Sequence, residues 1–379
     1  MNLISIKYTN KEQQWSFDKI DFFDLTLLVG VSGVGKTQIL RSIFALKKIA
    51  DGNNENGVEW EVEFSTLSGN KYLWKGEFEN LKSEDEHLRD ILLGNEDEEI
   101  KSKIIFEQIF LNDKLIINRN KESFKFNDQE MPKLISTESA INILKEDDTI
   151  SDIYESFKLI ILRDHTQKEG VRFSRFSVEK LKSKYKTFEQ IKESELETFD
   201  KLALVYDLKL PVFEEIKNHF IDVFPQIEDV KVEPIKDNEL SNFIFEATII
   251  QIKEIGVQKW IPHNRMSSGM LRTLLHIAEM FLWNEGTVIL IDEFENSLGL
   301  NCIDVLTEDL IYDDNKIQFI ATSHHPYIIN KIPFDYWKIV TRKGGRIKTF
   351  NAKEFDMGKS HHDRFMSLIN HPFYKHGIS

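Results

Sequence analysis

The hydrophobic pattern of this chain changes period several times, and each change marks an element. Leu25-Thr26-Leu27-Leu28-Val29 is a short, nearly continuous apolar run, which predicts a parallel strand buried on both faces. From residue 39 the period becomes helical: Ile39, Leu40, Ile43, Phe44 and Leu46 share one face, and the pattern stops at Asp51-Gly52. Leu3-Ile4-Ser5-Ile6-Lys7-Tyr8 and a run around Trp15 and Phe17 predict two strands ahead of these. Further on the alternation is strict, with Val58, Trp60, Val62 and Phe64 on one face and Glu59, Glu61 and Glu63 on the other. Residues 72–78 pair with that run as a hairpin across Ser68-Gly69-Asn70, and short strands over 103–111 and 114–118 flank a second turn at Asn112-Asp113. These runs predict an antiparallel sheet packed beside the strand–helix core.

Residues 136–225 read as mostly helical, broken at Pro211 and Pro225, and a strand pair over 230–234 and 242–252 leads back to the core. Thr287-Val288-Ile289-Leu290-Ile291 is an apolar strand ending in Asp292-Glu293. Ile317-Gln318-Phe319-Ile320-Ala321-Thr322-Ser323 is another, ending in His324-His325-Pro326. A helix with the stripe Leu271, Leu274, Leu275, Ala278 and Phe281 opens after Arg265-Met266-Ser267-Ser268-Gly269. The acidic residues 84–99 read as a solvated loop. Internal repeats are lacking, as are the uninterrupted heptads of a long coiled-coil arm. The expected architecture is α/β: one domain over residues 1–379, carrying an antiparallel side sheet and a helical insertion over 130–225.

Composition narrows the partners. A chain of 379 residues, 41% of them hydrophobic, builds a sizeable core. Its net charge of −14 argues against a surface basic enough to wrap nucleic acid. A lone cysteine, Cys302, excludes an intramolecular disulfide, fits a reducing compartment and reads as a small buried hydrophobe. No apolar run approaches the roughly 20 residues of a membrane span. The opening MNLISIKYTN lacks the blocks of a signal peptide. A cytoplasmic protein without a membrane partner is expected.

Between the buried strand and its helix lies Gly30-Val31-Ser32-Gly33-Val34-Gly35-Lys36-Thr37, which fits G-x-x-x-x-G-K-S/T at every fixed position. Gly33 and Gly35 let backbone N–H groups close on phosphate oxygens, Lys36 reaches the outer phosphates, and the Thr37 hydroxyl binds Mg²⁺. The candidate nucleotide-binding residues are therefore Gly30, Ser32, Gly33, Val34, Gly35, Lys36, Thr37 and Gln38. A buried strand delivering two carboxylates to its C-terminal end sets them beside that loop. Asp292 then holds the Mg²⁺ shell, while Glu293 orients and deprotonates an attacking water. His324 is a candidate contact to the γ-phosphate, ahead of His325. Ser267 or Ser268 is a candidate helix cap, and the alternative is that Ser267 and the Gly269 backbone present donors to a phosphate.

The order of these features resembles ABC-type ATPases. Within them it is similar to the compact SMC-like, AAA-domain group that includes the OLD-family, Septu-type, retron-associated and AbiEii-like ATPases of prokaryotic anti-phage systems. The resemblance is strong over residues 1–60 and 260–340 and covers the middle in outline. It implies an ABC-type P-loop ATPase head, ATP and Mg²⁺ as cofactors, and a homodimer. In that dimer Ser267 and Gly269 of one copy cover the ATP held by the other copy's loop. The signature reads MSSGM in place of LSGGQ, and Phe294-Glu295-Asn296-Ser297-Leu298-Gly299 lacks the aspartate of a standard D-loop. The Q-loop falls at Gln108 or at Ser136-Thr137-Glu138-Ser139.

Lys168, Arg172, Arg175, Lys180, Lys182, Lys184 and Lys186, interleaved with Phe173, Phe176 and Tyr185, form a stripe that either binds nucleic acid or is a solvated surface. His361, His362, Asp363, His371 and His376 lack metal-ligand spacing. A Toprim-type nuclease domain, which OLD nucleases carry, is not expected after Pro326. The expected function is an ATP-driven switch that regulates a separate effector, a nuclease or toxin encoded nearby, in anti-phage defence. The helical insertion and the C-terminal segment, neither needed to build the nucleotide site, are the expected docking surfaces. The alternative is an SMC-like ATPase acting directly on DNA ends in repair or chromosome maintenance.

Overall fold

In the computed structural model, residues 1–81, 101–132, 134–163, 173–234, 247–295, 316–354, 367 and 377 are described. Contacts divide the chain into two compact units. The first comprises Met1–Asp164, Gly286–Phe294 and Lys316–Ser379; the second comprises His165–Glu285 and Glu295–Asn315.

The first unit begins with β1 (Asn2–Asn10), β2 (Trp15–Asp21), β3 (Leu25–Val29) and α1 (Lys36–Ala50). Then come β4 (Val58–Ser65), β5 (Lys71–Phe78), β6 (Ile104–Leu111), β7 (Lys114–Asn120), β8 (Phe124–Phe126) and β9 (Gln129–Glu130). Two helices and a strand follow, α2 (Ala140–Ile143), α3 (Asp148–Lys158) and β10 (Ile160–Arg163). The second unit holds β11 (Phe173–Ser174), α4 (Arg175–Lys184), α5 (Phe188–Glu193), α6 (Thr198–Asp207) and α7 (Pro211–Val223). It continues with β12 (Ile227–Pro234), β13 (Ala247–Glu254), β14 (Ile261–Pro262) and α8 (Ser268–Leu282). The chain then returns to the first unit with β15 (Val288–Ile291), β16 (Gln318–Ser323), α9 (Pro326–Lys331), β17 (Trp337–Lys343) and β18 (Arg346–Asn351).

Among the described residues, the first unit's strands form one path, β10-β15-β16-β3-β17-β18-β2-β1-β4-β5-β6-β7-β8-β9. From β10 to β17 the neighbours are parallel. Every residue of β3, β15 and β16 is buried, as strands covered on both faces must be. From β2 to β9 they are antiparallel. The expected antiparallel sheet is thus present, but it is continuous with the core. The hairpin of β17 and β18 joins the two halves, β17 parallel to β3 and β18 parallel to β2.

Local chemistry accounts for most of these elements. β4 buries Val58, Trp60, Val62 and Phe64 on one face, and Phe64 and Trp74 meet Phe157 of α3 edge-on at 5.1 and 5.2 Å. Asn112 and Asp113 take φ of 47° and 66°, the left-handed pair that a two-residue hairpin loop requires. Glu107, fully buried on β6, accepts from Trp74 Nε1 (2.9 Å) and the Ala140 N–H (2.8 Å), and pairs with Arg119. Burial pushes its carboxyl up and Arg119 opposes that shift.

One local expectation is corrected. Residues 160–163 form a strand inside the stretch read as mostly helical, because a run of three apolar residues carries no resolvable period. The expected break at Pro211 is present: α6 ends at Asp207 and α7 starts at Pro211, where the missing N–H has no partner to lose. Of the helices expected across 130–225, α2 and α3 belong to the first unit and α4 to α7 to the second.

In the second unit, α6 and α7 pack on α8, and Leu202, Ile216, Phe220, Leu274 and Ile277 of these helices are buried. Thr198 donates to Glu279 (3.2 Å) and accepts from Trp283 Nε1 (3.3 Å). Asp200, buried in the first turn of α6, has its carboxyl raised from 3.8 to about 6, by burial first and then by Glu197. The folded state therefore holds a proton that the unfolded chain releases, and stability falls as pH rises from near 4 through about 6. Asp200→Asn should remove about 3 kcal/mol of that loss, seen as a flattened pH dependence of urea midpoints between pH 4 and 7. An unchanged slope would place the titration elsewhere.

Candidate functional site

The parallel register builds the site. Val29 pairs with Ser323 and Ile291 with Ala321, so β3, β15 and β16 end along one edge of the sheet. Their C-terminal ends deliver the phosphate loop, Asp292-Glu293 and His324 to that edge. Gly30 leaves β3 against β17, where a Cβ would lie 2.6 Å from the Val340 carbonyl oxygen. Gly33 and Gly35 take left-handed backbone at φ +84° and +104°. A Cβ on Gly33 would meet nothing within 4 Å, so an open cradle faces outward there. α1 starts at Lys36 without a side-chain cap, leaving its first N–H groups for an anion. Loop and helix start fit a nucleotide phosphate.

The charged side chains are already organised. Lys36 Nζ donates to the carbonyls of Gly30 (2.7 Å) and Val31 (3.1 Å), curled over its own loop. Thr37 Oγ1 donates to Asp292 Oδ1 at 3.1 Å. Thr322 Oγ1 donates to the same oxygen at 2.7 Å and accepts the Glu293 N–H at 2.8 Å. Glu293 is exposed and held at φ +51°, a conformation uncommon for a residue other than glycine, asparagine or aspartate. Thr322 thus orients both carboxylate residues and was missed in the sequence; its signal was a pair of hydroxyl side chains, Thr322 and Ser323, closing a largely apolar strand.

A family model described as "AAA domain, putative AbiEii toxin, Type IV TA system" matches residues 25–330, which span the loop, the acidic strand end and His324. The chain belongs to this AAA-domain family. Solved structures similar to it include an SMC head bound to the C-terminal winged-helix domain of ScpA, at 14% identity over 92% of this chain and 97% of that one, with a TM-score of 0.48. The SMC head domain of Thermotoga maritima matches at 14% identity over 93% and 99%, with a TM-score of 0.43. The Pyrococcus furiosus Smc head, with an extended coiled coil and bound to the C-terminal domain of ScpA, matches at 14% identity over 93% and 97%, with a TM-score of 0.44. No curated protein sequence matches the chain.

The remaining candidates sort by what they touch in this AAA domain. His325 caps α9: its Nδ1 accepts the Tyr327 N–H at 3.2 Å and its own N–H donates to Ser323 Oγ at 3.1 Å. His324 lies exposed at the end of β16. Ser267, in the second unit, is the N-cap of α8 and accepts the Met270 N–H at 3.2 Å. Ser267 and Ser268 are exposed, whereas Gly269 is buried and its carbonyl accepts from Thr273 Oγ1 at 2.8 Å. Gln108 donates across the β6–β7 pair to Asn118 (3.2 Å), and Ser139 caps α2. Among the described residues no helix is long and apolar enough to cross a membrane, and no group of three His, Cys, Asp or Glu could hold a metal. Mg²⁺ at Thr37 and Asp292 would therefore take its other ligands from phosphate and water. Residues 84–99, Lys168, Arg172, Asn296-Ser297-Leu298-Gly299, Cys302, His361, His362, Asp363, His371 and His376 lie outside the described residues.

One expectation about this AAA domain is overturned. The C-terminal segment was expected to be dispensable for the nucleotide site, yet it forms part of the site's frame. Val340 meets Gly30, Ile347 of β18 fills the space beneath Gly35, and Arg342 Nη1 donates to Gln38 Oε1 at 2.8 Å. These contacts join residues about 300 positions apart, a pairing that no local hydrophobic period records.

Proposed function

We propose that the chain is an ATP-dependent homodimeric switch in which residues 1–379 work as one ABC-type head carrying a helical insertion. The meeting of Thr37, Asp292 and Thr322 beside a glycine-cradled helix start carries this reading. Bound Mg²⁺ would supply charge neutralisation at the phosphoryl oxygens. Thr37 and Asp292 would hold it. Lys36 exchanges the Gly30 and Val31 carbonyls for phosphate oxygens, trading neutral acceptors for charged ones. Glu293, with its backbone anchored by Thr322, takes the proton of the attacking water. His324, at the end of β16, senses the γ-phosphate. The helix start at Ser267 and Gly269, exposed at its two serines and buried at the glycine, covers the nucleotide of the other copy, its N-terminal dipole toward the phosphates.

The test is calorimetric titration of MgATP into the wild type and Lys36→Ala. Wild-type binding should be in the micromolar range and the variant's weaker by about tenfold or more, since a charge-assisted contact to phosphate is lost. Wild-type protein that binds no nucleotide would reject the reading.

The switch acts on a separate effector, a nuclease or toxin encoded nearby, in anti-phage defence. Support comes from the family's description, whose words "putative AbiEii toxin, Type IV TA system" are in keeping with a toxin-linked setting. Affinity purification from the native host should recover that effector at fixed stoichiometry.

A second reading, direct action on DNA ends, is favoured by the exposure of Lys180, Lys184 and Lys186. Lys182 is less available, because it pairs with Asp207 at 2.5 Å. Changing Lys180, Lys182, Lys184 and Lys186 to Glu should abolish any nucleic-acid binding and flatten its dependence on salt. Tight binding that survives the four changes would locate the surface elsewhere.

A further inference from the structure

The phosphate loop has two faces. Ser32 and Gly33 are exposed, whereas Val34 is buried and Val31 half-buried on the opposite side. That apolar side is covered by Gly377. Gly377 is buried at φ +61°, and a Cβ placed on it would lie 2.7 Å from both Val31 Cγ2 and Val34 Cγ1. A side chain there would have to displace both methyls and would sit on left-handed backbone that glycine takes without strain. The Gly377 carbonyl accepts the Arg342 N–H at 2.7 Å. The side chain of Arg342 donates from Nη1 to Gln38 Oε1 at 2.8 Å and from Nε to the Gly344 carbonyl at 2.7 Å. Arg342 therefore ties Gly377 to the first turn of α1, while Gly377 itself lies against the loop.

We propose that Gly377 and Arg342 form a strap in cis that holds the phosphate loop in its phosphate-receiving shape, with Arg342 as a positioning residue for nucleotide. Two physical effects point the same way. A loop with glycines at 30, 33 and 35 loses unusual amounts of backbone freedom when it closes on an anion, and a strap that orders it beforehand removes that cost from binding. A guanidinium at the first turn of a helix is also electrostatically unfavourable until a polyanion arrives there. Arg342 is held at that place by Gln38 and Gly344, so its charge is spent on the bound state.

The inference rests on the proposed ATP-binding function, and the experiment separates the two. MgATP affinity is measured with a fluorescent ATP analogue on the wild type, Gly377→Val, Gly377→Ala, Arg342→Gln and Arg342→Lys. Gly377→Val and Arg342→Gln should weaken binding about tenfold, the ordering cost of roughly one loop residue. Gly377→Ala and Arg342→Lys, which intrude or release less, should fall between these and the wild type. KM should rise in parallel while kcat at saturating ATP stays within about twofold, because Lys36, Asp292 and Glu293 are unchanged. Amide exchange at residues 31–37, read without nucleotide, should quicken about tenfold in Gly377→Val, a local opening that a general loss of stability would not confine to the loop. Wild-type protein that binds no ATP rejects the functional reading and leaves the strap to be judged by exchange. ATP binding within twofold of wild type in Gly377→Val and Arg342→Gln, or unchanged exchange at 31–37, overturns the strap.

Discussion

Glu293→Gln should bind MgATP as the wild type does and turn it over about 10²–10⁴-fold more slowly. Glutamine keeps the length and shape of the side chain but cannot accept the proton of the attacking water. The backbone position survives the change, because the Glu293 N–H donates to Thr322 Oγ1 independently of the side chain. The φ of +51° is as tolerable to glutamine as to glutamate. Asp292 should keep its bonds from Thr37 and Thr322, so the residues proposed to hold Mg²⁺ would stay in place. Single-turnover phosphate release and a nucleotide-binding titration on the same preparation separate the two effects. A variant that hydrolyses ATP at the wild-type rate would remove Glu293 from the base role. Lost binding would mean the side chain holds ATP instead.

Mixing Lys36→Ala with Ser267→Arg protein should create activity that neither variant has alone. Each variant by itself spoils both sites of a twofold dimer, one through the loop and the other through the covering helix start. In the mixed dimer, the loop from Ser267→Arg meets the intact helix start from Lys36→Ala, giving one good site and one doubly broken site. With random pairing the mixture recovers about a quarter of wild-type turnover. The arginine acts at an exposed cap whose hydroxyl accepts the Met270 N–H, so the helix loses about 1 kcal/mol of capping and gains a cation at its positive end. A fold tolerates this change; a phosphate-covering surface does not. No recovery on mixing, or full hydrolysis by a protein that light scattering shows to be a monomer at assay concentration, would reject the composite site.

The parts of this protein legible from sequence are those whose physics is local. A five-residue apolar strand, a glycine loop and a helical stripe lie within 30 consecutive positions, and β3, the loop and α1 form there as expected. Strict alternation located β4, and the positive φ of Asn112 and Asp113 followed from their place between two strands. Asp292 and Glu293 were readable because a buried strand must end in water, and in a parallel sheet that end faces the neighbouring loop. Other features depended on which distant segments pair. Thr322 matters only because register sets β16 between β15 and β3, which turns an ordinary hydroxyl into the anchor of Asp292 and Glu293. β10 was too short to show a period until β15 gave it a partner. The hairpin of β17 and β18 decided that core and side sheet are one, and placed Val340, Arg342 and Ile347 behind the phosphate loop. Hydrophobic period is written in neighbours three or four positions apart. Strand register and the seat of Gly377 on Val31 and Val34 are chosen by packing across some 300 residues, and only the folded chain brings those atoms together.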